Sequence, residues 1–415
     1  MAAPNHVVIV GAGMVGLSTA YFLQEHGVRV TIAERTAVNA GSSWGNAGWI
    51  APALTIPLPE PAVLAYGIGA MMRPSAPLYI PFTLNPRLLR FLLGFARHCT
   101  PAFWRSSMAV YAEVAGMAMG AFDELTDGAV AEPTKLAEPF LAGFATEKQR
   151  EGLLDEFRGI VAAGGEVDYE LADGDELRTL EPTLGDGVKY GVKLHGQHFI
   201  NPPRFVAALA DAVRARGAEI VTGCDVREVR DLGASGVRLV PVSGETLSAD
   251  AVVLASGAWL GALARRFGVR ELVQAGRGYS FTVVPEVMPA RPIYFPAARV
   301  ACTPLGDRFR ISGMMEFRSA EAPLDPRRIN AVVNAAKPMF TGIDWNDRRE
   351  EWVGSRPCTP DGLPLIGATK SPRVHVAGGH GMWGVTLGPL TGKLLADSMT
   401  GRSVPDVYRR FDPLR

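Results

Sequence analysis

Clustered cysteine is missing from this 415-residue chain: Cys99, Cys224, Cys302 and Cys358 stand far apart, without a CxxC or any metal-ligand spacing. They read as free thiols of a reducing compartment or as small core residues, which leaves no disulfide framework. His195 and His198 fit no zinc spacing either, so no metal is expected. An excess of charge is also missing, since Lys+Arg and Asp+Glu both number 42. Nucleic-acid partners are not expected, because holding phosphates requires a basic surplus. No uncharged apolar run reaches transmembrane length. The opening MAAPNHVVIV lacks the basic stretch and cleavage-type tail of a secretory signal, so a cytoplasmic placement is expected.

What the chain does have is glycine and proline, 46 and 31 residues, beside a 47% hydrophobic fraction. That balance fits a loop-rich globular enzyme, and the length suits two to three domains. His6–Val10 is a short β-branched run of the kind that forms a parallel strand buried on both faces. Gly11-Ala12-Gly13-Met14-Val15-Gly16 follows at once, then LSTAYFLQEHG at helical spacing with Gly27 as its stop. A second strand over residues 28–33 ends at Glu34. A lone GxGxxG is weak evidence, but here strand, turn, helix, strand and terminal acid all stand in order. Gly11 permits the tight turn, Gly13 lets backbone approach a pyrophosphate, and Gly16 lets helix and strand pack closely. The pyrophosphate sits against the helix N-terminus, where free N–H groups and the dipole favour anions. Glu34 is placed to accept from ribose hydroxyls, and its charge disfavours the extra phosphate of NADP.

The stretch from Arg35 to Ile50, RTAVNAGSSWGNAGWI, lacks a helical period and departs from a plain NAD-binding βα repeat. Its Ser43-x-x-Asn46-x-Gly48 resembles the loop that follows the ribose-binding acid in the D-amino-acid oxidase superfamily, and within it the bacterial D-amino-acid dehydrogenase group. The resemblance implies FAD, with Arg35, Ser42, Ser43, Asn46, Ala47 and Gly48 along its diphosphate and ring. Gly354-Ser-Arg-Pro-Cys-Thr-Pro-Asp-Gly-Leu-Pro-Leu-Ile-Gly367 resembles the family's G-x-R-P-x-T-P-D-G-x-P-x-I-G run. The strand VHVA leads from there into Gly378-Gly379-His380-Gly381-Met382-Trp383-Gly384 and a helical segment beginning Val385-Thr386. In the family this turn faces the flavin edge where negative charge gathers on reduction. Between these motifs, the run Asp250 to Trp259, with Gly257 in its turn, resembles the strand and turn that close the FAD site in this superfamily, and the family residue matching Val226 lends main-chain contacts to the adenine.

The resemblance thus touches beginning, middle and end. It implies an α/β Rossmann-like FAD-binding domain with a parallel central sheet, discontinuous over residues 1–50, 196–262 and 350–415. A substrate domain built on an antiparallel sheet with helices would take 51–195 and 263–349. In the first of these inserts, LNPRLLRFLLGFARHCTPAFW carries Leu88, Leu89, Leu92, Leu93 and Phe95 beside Arg87, Arg90 and Arg97. One amphipathic helix is expected over residues 86–105, packed on the substrate domain or touching the inner face of a membrane at a headgroup boundary.

No Ser-His-Asp order, nucleophile elbow or paired carboxylate stands out, which is coherent if flavin performs the redox step while protein orients the substrate. The resemblance implies oxidative deamination of a D-amino acid, or of a cyclic imino acid such as D-proline or hydroxyproline. The hydride passes from Cα to flavin N5, and the imino acid hydrolyses to a 2-oxo acid. O₂ or a quinone would accept the electrons, and a glycine- or sarcosine-type amine oxidase using O₂ is the alternative. Arg356 is the leading substrate residue, because a guanidinium fork matches a carboxylate; its alternative is a structural arginine paired with an acid. Tyr279, in the Gly278-Tyr279-Ser280 element, is either a hydroxyl donor to substrate or a core aromatic. His380 either polarises the flavin or hydrogen-bonds locally. Cys358 does not match the position through which some relatives attach flavin, so noncovalent FAD is expected.

Overall fold

The structure, a computed structural model, describes residues 3–63, 78–81 and 84–415. Its first sheet has six strands in the order Glu219–Val221, Arg29–Ala33, His6–Val10, Ala251–Leu254, Val374–Gly378 and Leu365–Ala368. Five run parallel, and Leu365–Ala368 closes the edge antiparallel. The two-residue period of a strand sorts these residues into layers. Val7, Ile9, Val30, Ile32 and Val253 pack toward the helices Met14–Glu25, Pro202–Ala215 and Gly388–Met399. Val8, Val10, Val252, Leu254, Val374 and Val376 face the other way, onto the Val226–Asp231 and Val237–Pro241 hairpin and onto Leu260 and Phe267. Both faces are therefore apolar, as the unbroken VVIV and AVVL runs require.

Met14–Glu25 starts directly on the glycine turn and ends at His26, where Gly27 takes φ +76°. Gly388–Met399 lies against it so closely that a Cβ on Gly392 would stand 2.5 Å from the Ser18 carbonyl carbon. This last helix begins three residues later than the sequence suggests, because Pro389 suits a first turn and Val385–Leu387 are used in the preceding one.

The second sheet has nine strands and is mostly antiparallel, with Arg349–Cys358, Gln274–Val283, Phe309–Phe317 and Val300–Pro304 side by side. Two of its pairings are parallel, Ile293–Phe295 with Phe140–Phe144 and Phe309–Phe317 with Leu78–Tyr79. The helix Pro326–Ala336 contributes Ile329, Val332, Val333 and Ala336 to this sheet's core. Residues 350–358, expected with the dinucleotide domain, belong to this sheet instead, since Gly354 pairs with Gly278 and Arg356 with Gly276.

The helix expected over 86–105 is two helices, Pro86–His98 and Pro101–Gly128. Pro101 disfavours helical backbone at Thr100, whose hydroxyl then accepts the Phe103 N–H and starts the second helix. Leu88, Phe91 and Phe95 form the packed face, with Phe91 and Phe95 against the Phe317 ring. Leu89 and Leu93 are left 48% and 56% exposed on the opposite side. Among the described residues no helix is long and apolar enough to cross a membrane.

Candidate functional site

One cavity of about 700 Å³ runs between the two sheets, a size that suits a cofactor with a small substrate. It begins at the glycine turn. Gly11 has φ +115°, and a Cβ there would lie 2.6 Å from the Ala255 carbonyl oxygen. A Cβ on Gly16 would lie 2.0 Å from the Gly11 carbonyl oxygen, so these two glycines are demanded by backbone packing. Gly13 differs: its Cβ would face the cavity, with Ser43 Oγ at 3.1 Å as its only near neighbour. It caps the Met14–Glu25 helix without any side-chain cap, which leaves the helix start open to an anion. Glu34 points into the same corner. One of its oxygens accepts the Ala12 N–H at 2.9 Å and the other accepts the Thr36 N–H at 3.0 Å. Arg35 stacks on the Trp259 ring at 4.1 Å, and Val226 and Gly257 complete this end.

The loop from Ser42 to Gly48 crosses the middle of the cavity, and its shape is set by Asn46. The Asn46 amide donates to the Ser43 carbonyl at 2.8 Å and accepts the Gly48 N–H at 2.7 Å. Ser43 Oγ accepts the Met14 N–H at 3.0 Å, and Ser42 donates to the Ser355 carbonyl at 2.6 Å. The loop is thereby tied both to the glycine turn and to the second sheet. Opposite lies the turn from Gly378 to Val385, where Trp383 donates to the Ile56 carbonyl at 2.7 Å. Of the residues expected at the cofactor, three do not reach the cavity wall. Gly16 is used in packing, Gly379 lies against Thr359, and Thr386 donates to the Trp49 carbonyl.

Arg356 stands on the cavity wall, and the structure shows what aims it. Its guanidinium lies on the bare Cα of Gly278, where a Cβ would come within 2.4 Å of Arg356 Cζ. One N–H donates to the Met314 carbonyl at 2.9 Å. Among the described residues no carboxylate pairs with it. Burial pulls its pKa down, with only the Cys358 thiol acting the other way. A desolvated cation with several unused donors facing a cavity has the chemistry to receive a carboxylate.

Tyr279 and His380 are held differently. Tyr279 is 1% exposed and its hydroxyl donates to Glu316 at 2.6 Å, inside a network with Arg277. The ring reaches the cavity, but its hydroxyl is committed within the sheet. His380 is also 1% exposed, with Nε2 2.8 Å from Thr391 Oγ1, which ties the turn to the last helix. Burial pushes its pKa down to about 4, so the imidazole is neutral at ordinary pH. An unfolded histidine titrates near 6.5. Stability is therefore complete above that value and is lost as pH falls from 6.5 toward 4, by on the order of 3 kcal/mol. Replacing His380 by glutamine is expected to reduce the drop between pH 7 and pH 5 in urea midpoints, leaving the part carried by His375, whose pKa burial also pushes down to about 4. An equal drop in both proteins would contradict the neutral, buried assignment.

Several cavity residues escaped the sequence reading. Trp352 covers Gly45 and Gly354, each of which a Cβ would drive into its ring. Glu156, Tyr294, Arg299 and Met314 line the far end. None of these carries a local signal comparable to Gly278, a glycine in a strand that marks the close approach Arg356 makes. Cys358, two residues beyond, is buried and its thiol is pushed up to about 12, which makes it a poor nucleophile toward flavin.

Comparison with known proteins finds relatives over nearly the whole chain. The chain is 31% identical over 404 residues to a D-amino acid dehydrogenase of Cereibacter sphaeroides, covering 96% of this chain and 92% of that relative. It is 29% identical to one of Methylobacterium radiotolerans, covering 96% of each. In fold it resembles glycine oxidase from Geobacillus kaustophilus, with a TM-score of 0.74, 23% identity and coverage of 100% and 99%. L-proline dehydrogenase from P. horikoshii gives a TM-score of 0.68 at 16% identity, covering 100% and 98%. Residues 6–398 match the FAD dependent oxidoreductase (DAO) family. The chain belongs to that family of FAD-dependent oxidoreductases, and FAD is its cofactor.

Proposed function

We propose that the protein oxidises the Cα–N bond of a D-amino acid, or of a cyclic imino acid such as D-proline or hydroxyproline. The observation that carries this reading is Arg356, a desolvated guanidinium with no carboxylate partner among the described residues, facing the cavity beside the flavin loop. The curated relatives' name, D-amino acid dehydrogenase, supports it. In our reading Gly11 to Val15 take the pyrophosphate, while Glu34, Arg35, Val226, Gly257 and Trp259 border the adenosine. Ser42 to Gly48 and Gly381 to Val385 border the flavin. Bound FAD supplies the acceptor for the Cα hydrogen and its electron pair. Arg356 fixes the carboxylate, and Gly278 and the Met314 carbonyl fix Arg356. His380 holds the turn rather than moving a proton, and Tyr279 aligns the strand behind the substrate. The imino acid then adds water and gives a 2-oxo acid, with ammonia leaving when the amine is primary.

A quinone acceptor is favoured over O₂ by one surface feature: Leu84, Leu89 and Leu93 are exposed beside Arg90 and Arg97, a surface suited to anionic lipid. The test is anaerobic bleaching of the flavin band by a panel of D- and L-amino acids and sarcosine, followed by O₂ or a soluble quinone. Bleaching by D-amino acids and faster reoxidation by quinone are expected. Bleaching by glycine and sarcosine alone, with rapid reoxidation by O₂, would establish the amine-oxidase alternative.

A further inference from the structure

The far end of the cavity carries ionisable groups that the reaction above does not use. Arg299, Glu156 and Tyr294 all line it. Their distance from the adenosine end follows from Trp49, which directly continues the Ser42–Gly48 loop and meets the Tyr294 ring edge-on at 5.3 Å. The cluster therefore lies one aromatic ring beyond the flavin loop.

Arg299 and Arg356 are also close neighbours across the sheet. Val300 pairs with Gly313, a Cβ on Gly313 would lie 3.2 Å from the Arg299 carbonyl oxygen, and the carbonyl of the next residue, Met314, is the acceptor for Arg356. The Arg356 guanidinium thus reaches across the Gln274–Val283 strand to Phe309–Phe317, and its tip ends one strand from the Arg299 backbone, a gap of about 5 Å. Both residues at that crossing are strained. Arg299 and Met314 take φ +52° and +66°, and four non-glycine residues among those described do so at all. Left-handed backbone at a non-glycine residue costs about 1–2 kcal/mol, and such strain gathers where a site needs a particular direction of side chain.

The electrostatics suit a ligand rather than a structural pair. Arg299 lines the cavity with its side chain accessible, beside the Tyr294 hydroxyl. Glu156 and Glu60 are near enough to act on its charge, yet neither forms an ion pair with it among the described residues. Burial, reinforced by the Glu60 charge, pushes Glu156 up to about 7. A substantial share of Glu156 is thus protonated at neutral pH and able to donate.

We infer that Arg299, with Glu156 and Tyr294, forms a second recognition subsite for a planar oxygen group on the substrate side chain, a carboxylate or carboxamide. The preferred substrates are then acidic amino acids and their amides, their α-carboxylate on Arg356 and their side chain reaching Arg299. This deepens the proposed amino-acid oxidation and rests on it.

The test measures kcat/KM for D-glutamate, D-glutamine, D-alanine and D-norvaline in the holoenzyme and in Arg299→Met, Arg299→Lys and Glu156→Gln. The ratio of D-glutamate to D-norvaline is expected to fall roughly 10- to 100-fold in Arg299→Met. Arg299→Lys, which keeps charge but loses the fork, should fall less, and it guards against a folding defect. Glu156→Gln should change the D-glutamate to D-glutamine ratio. If Arg299→Met weakens all four substrates alike, Arg299 shares the α-carboxylate and the subsite is overturned. A wild-type preference for D-norvaline over both polar substrates overturns it too. No bleaching by any amino acid would sink the underlying reaction and this subsite together, whereas bleaching with an unchanged ratio would sink the subsite alone.

Discussion

Replacing Arg356 by alanine is expected to lower kcat/KM for amino-acid substrates by roughly 30- to 4,000-fold, mainly through KM, while FAD stays bound. The range is that of removing one partner from a buried, hydrogen-bonded charge pair. The upper part is reasonable here because the guanidinium is desolvated and, among the described residues, donates only to the Met314 carbonyl and, weakly at 3.8 Å, to Met315 Sδ. A substrate carboxylate entering the alanine variant would lose its hydration without a fork to receive it. Arg356→Lys restores charge without the two parallel donors and should recover only part of the loss. Occupancy by FAD, read from the visible spectrum, should not change, since Arg356 lies on the Arg349–Cys358 strand and not on the glycine turn. An unchanged KM in Arg356→Ala would remove this residue from substrate binding.

The second large effect is on the cofactor cradle. Gly11→Ala and Gly16→Ala are each expected to yield protein without bound FAD and with reduced stability. At Gly16 the new methyl would sit 2.0 Å from a backbone oxygen, and at Gly11 it would sit 2.6 Å from one while also being strained at φ +115°. Overpacking against backbone costs about 1–3 kcal/mol or more, and the unfavourable φ at Gly11 adds roughly 1–3 kcal/mol. Gly27→Ala is the control, since it has φ +76° but nothing within 4 Å of its Cβ. It should be less stable by about 1–2 kcal/mol and remain yellow. A fully yellow Gly16→Ala protein would show that the turn can open without losing FAD.

How far the sequence could be read depended on how local each signal was. The βαβ unit was legible because strand, turn, helix and acid lie within residues 6–34 and each carries its own chemistry. Asn46 was legible as part of a motif; it lines the cavity, and its amide also shapes the loop. The break at Thr100 was visible in Pro101 and was overridden by an apolar pattern continuing across it. The placement of Arg349–Cys358 was not legible, because the strand's partner is a segment more than 60 residues away and its register depends on which side chains the sheet can bury. Tyr279 and His380 lie where the motifs put them, but what holds them is long-range: Glu316 for one and Thr391 for the other. Arg299 and Glu156 come from separate elements that meet only in three dimensions.

The Gly388–Met399 helix packs on the Met14–Glu25 helix, and the central strand pairing runs from residue 6 to residue 254 to residue 376. The first helix can form early in synthesis, yet the strands beside it and the helix that covers it emerge hundreds of residues later. Until then VVIV has only Arg29–Ala33 and the first helix as partners, and its other edge faces solvent. Closure of such distant segments is slow and leaves apolar edges open to misassembly. Protein made without FAD should therefore be cleaved by protease faster than the FAD-bound form, because the cavity is completed only when residues from both ends of the chain are in place.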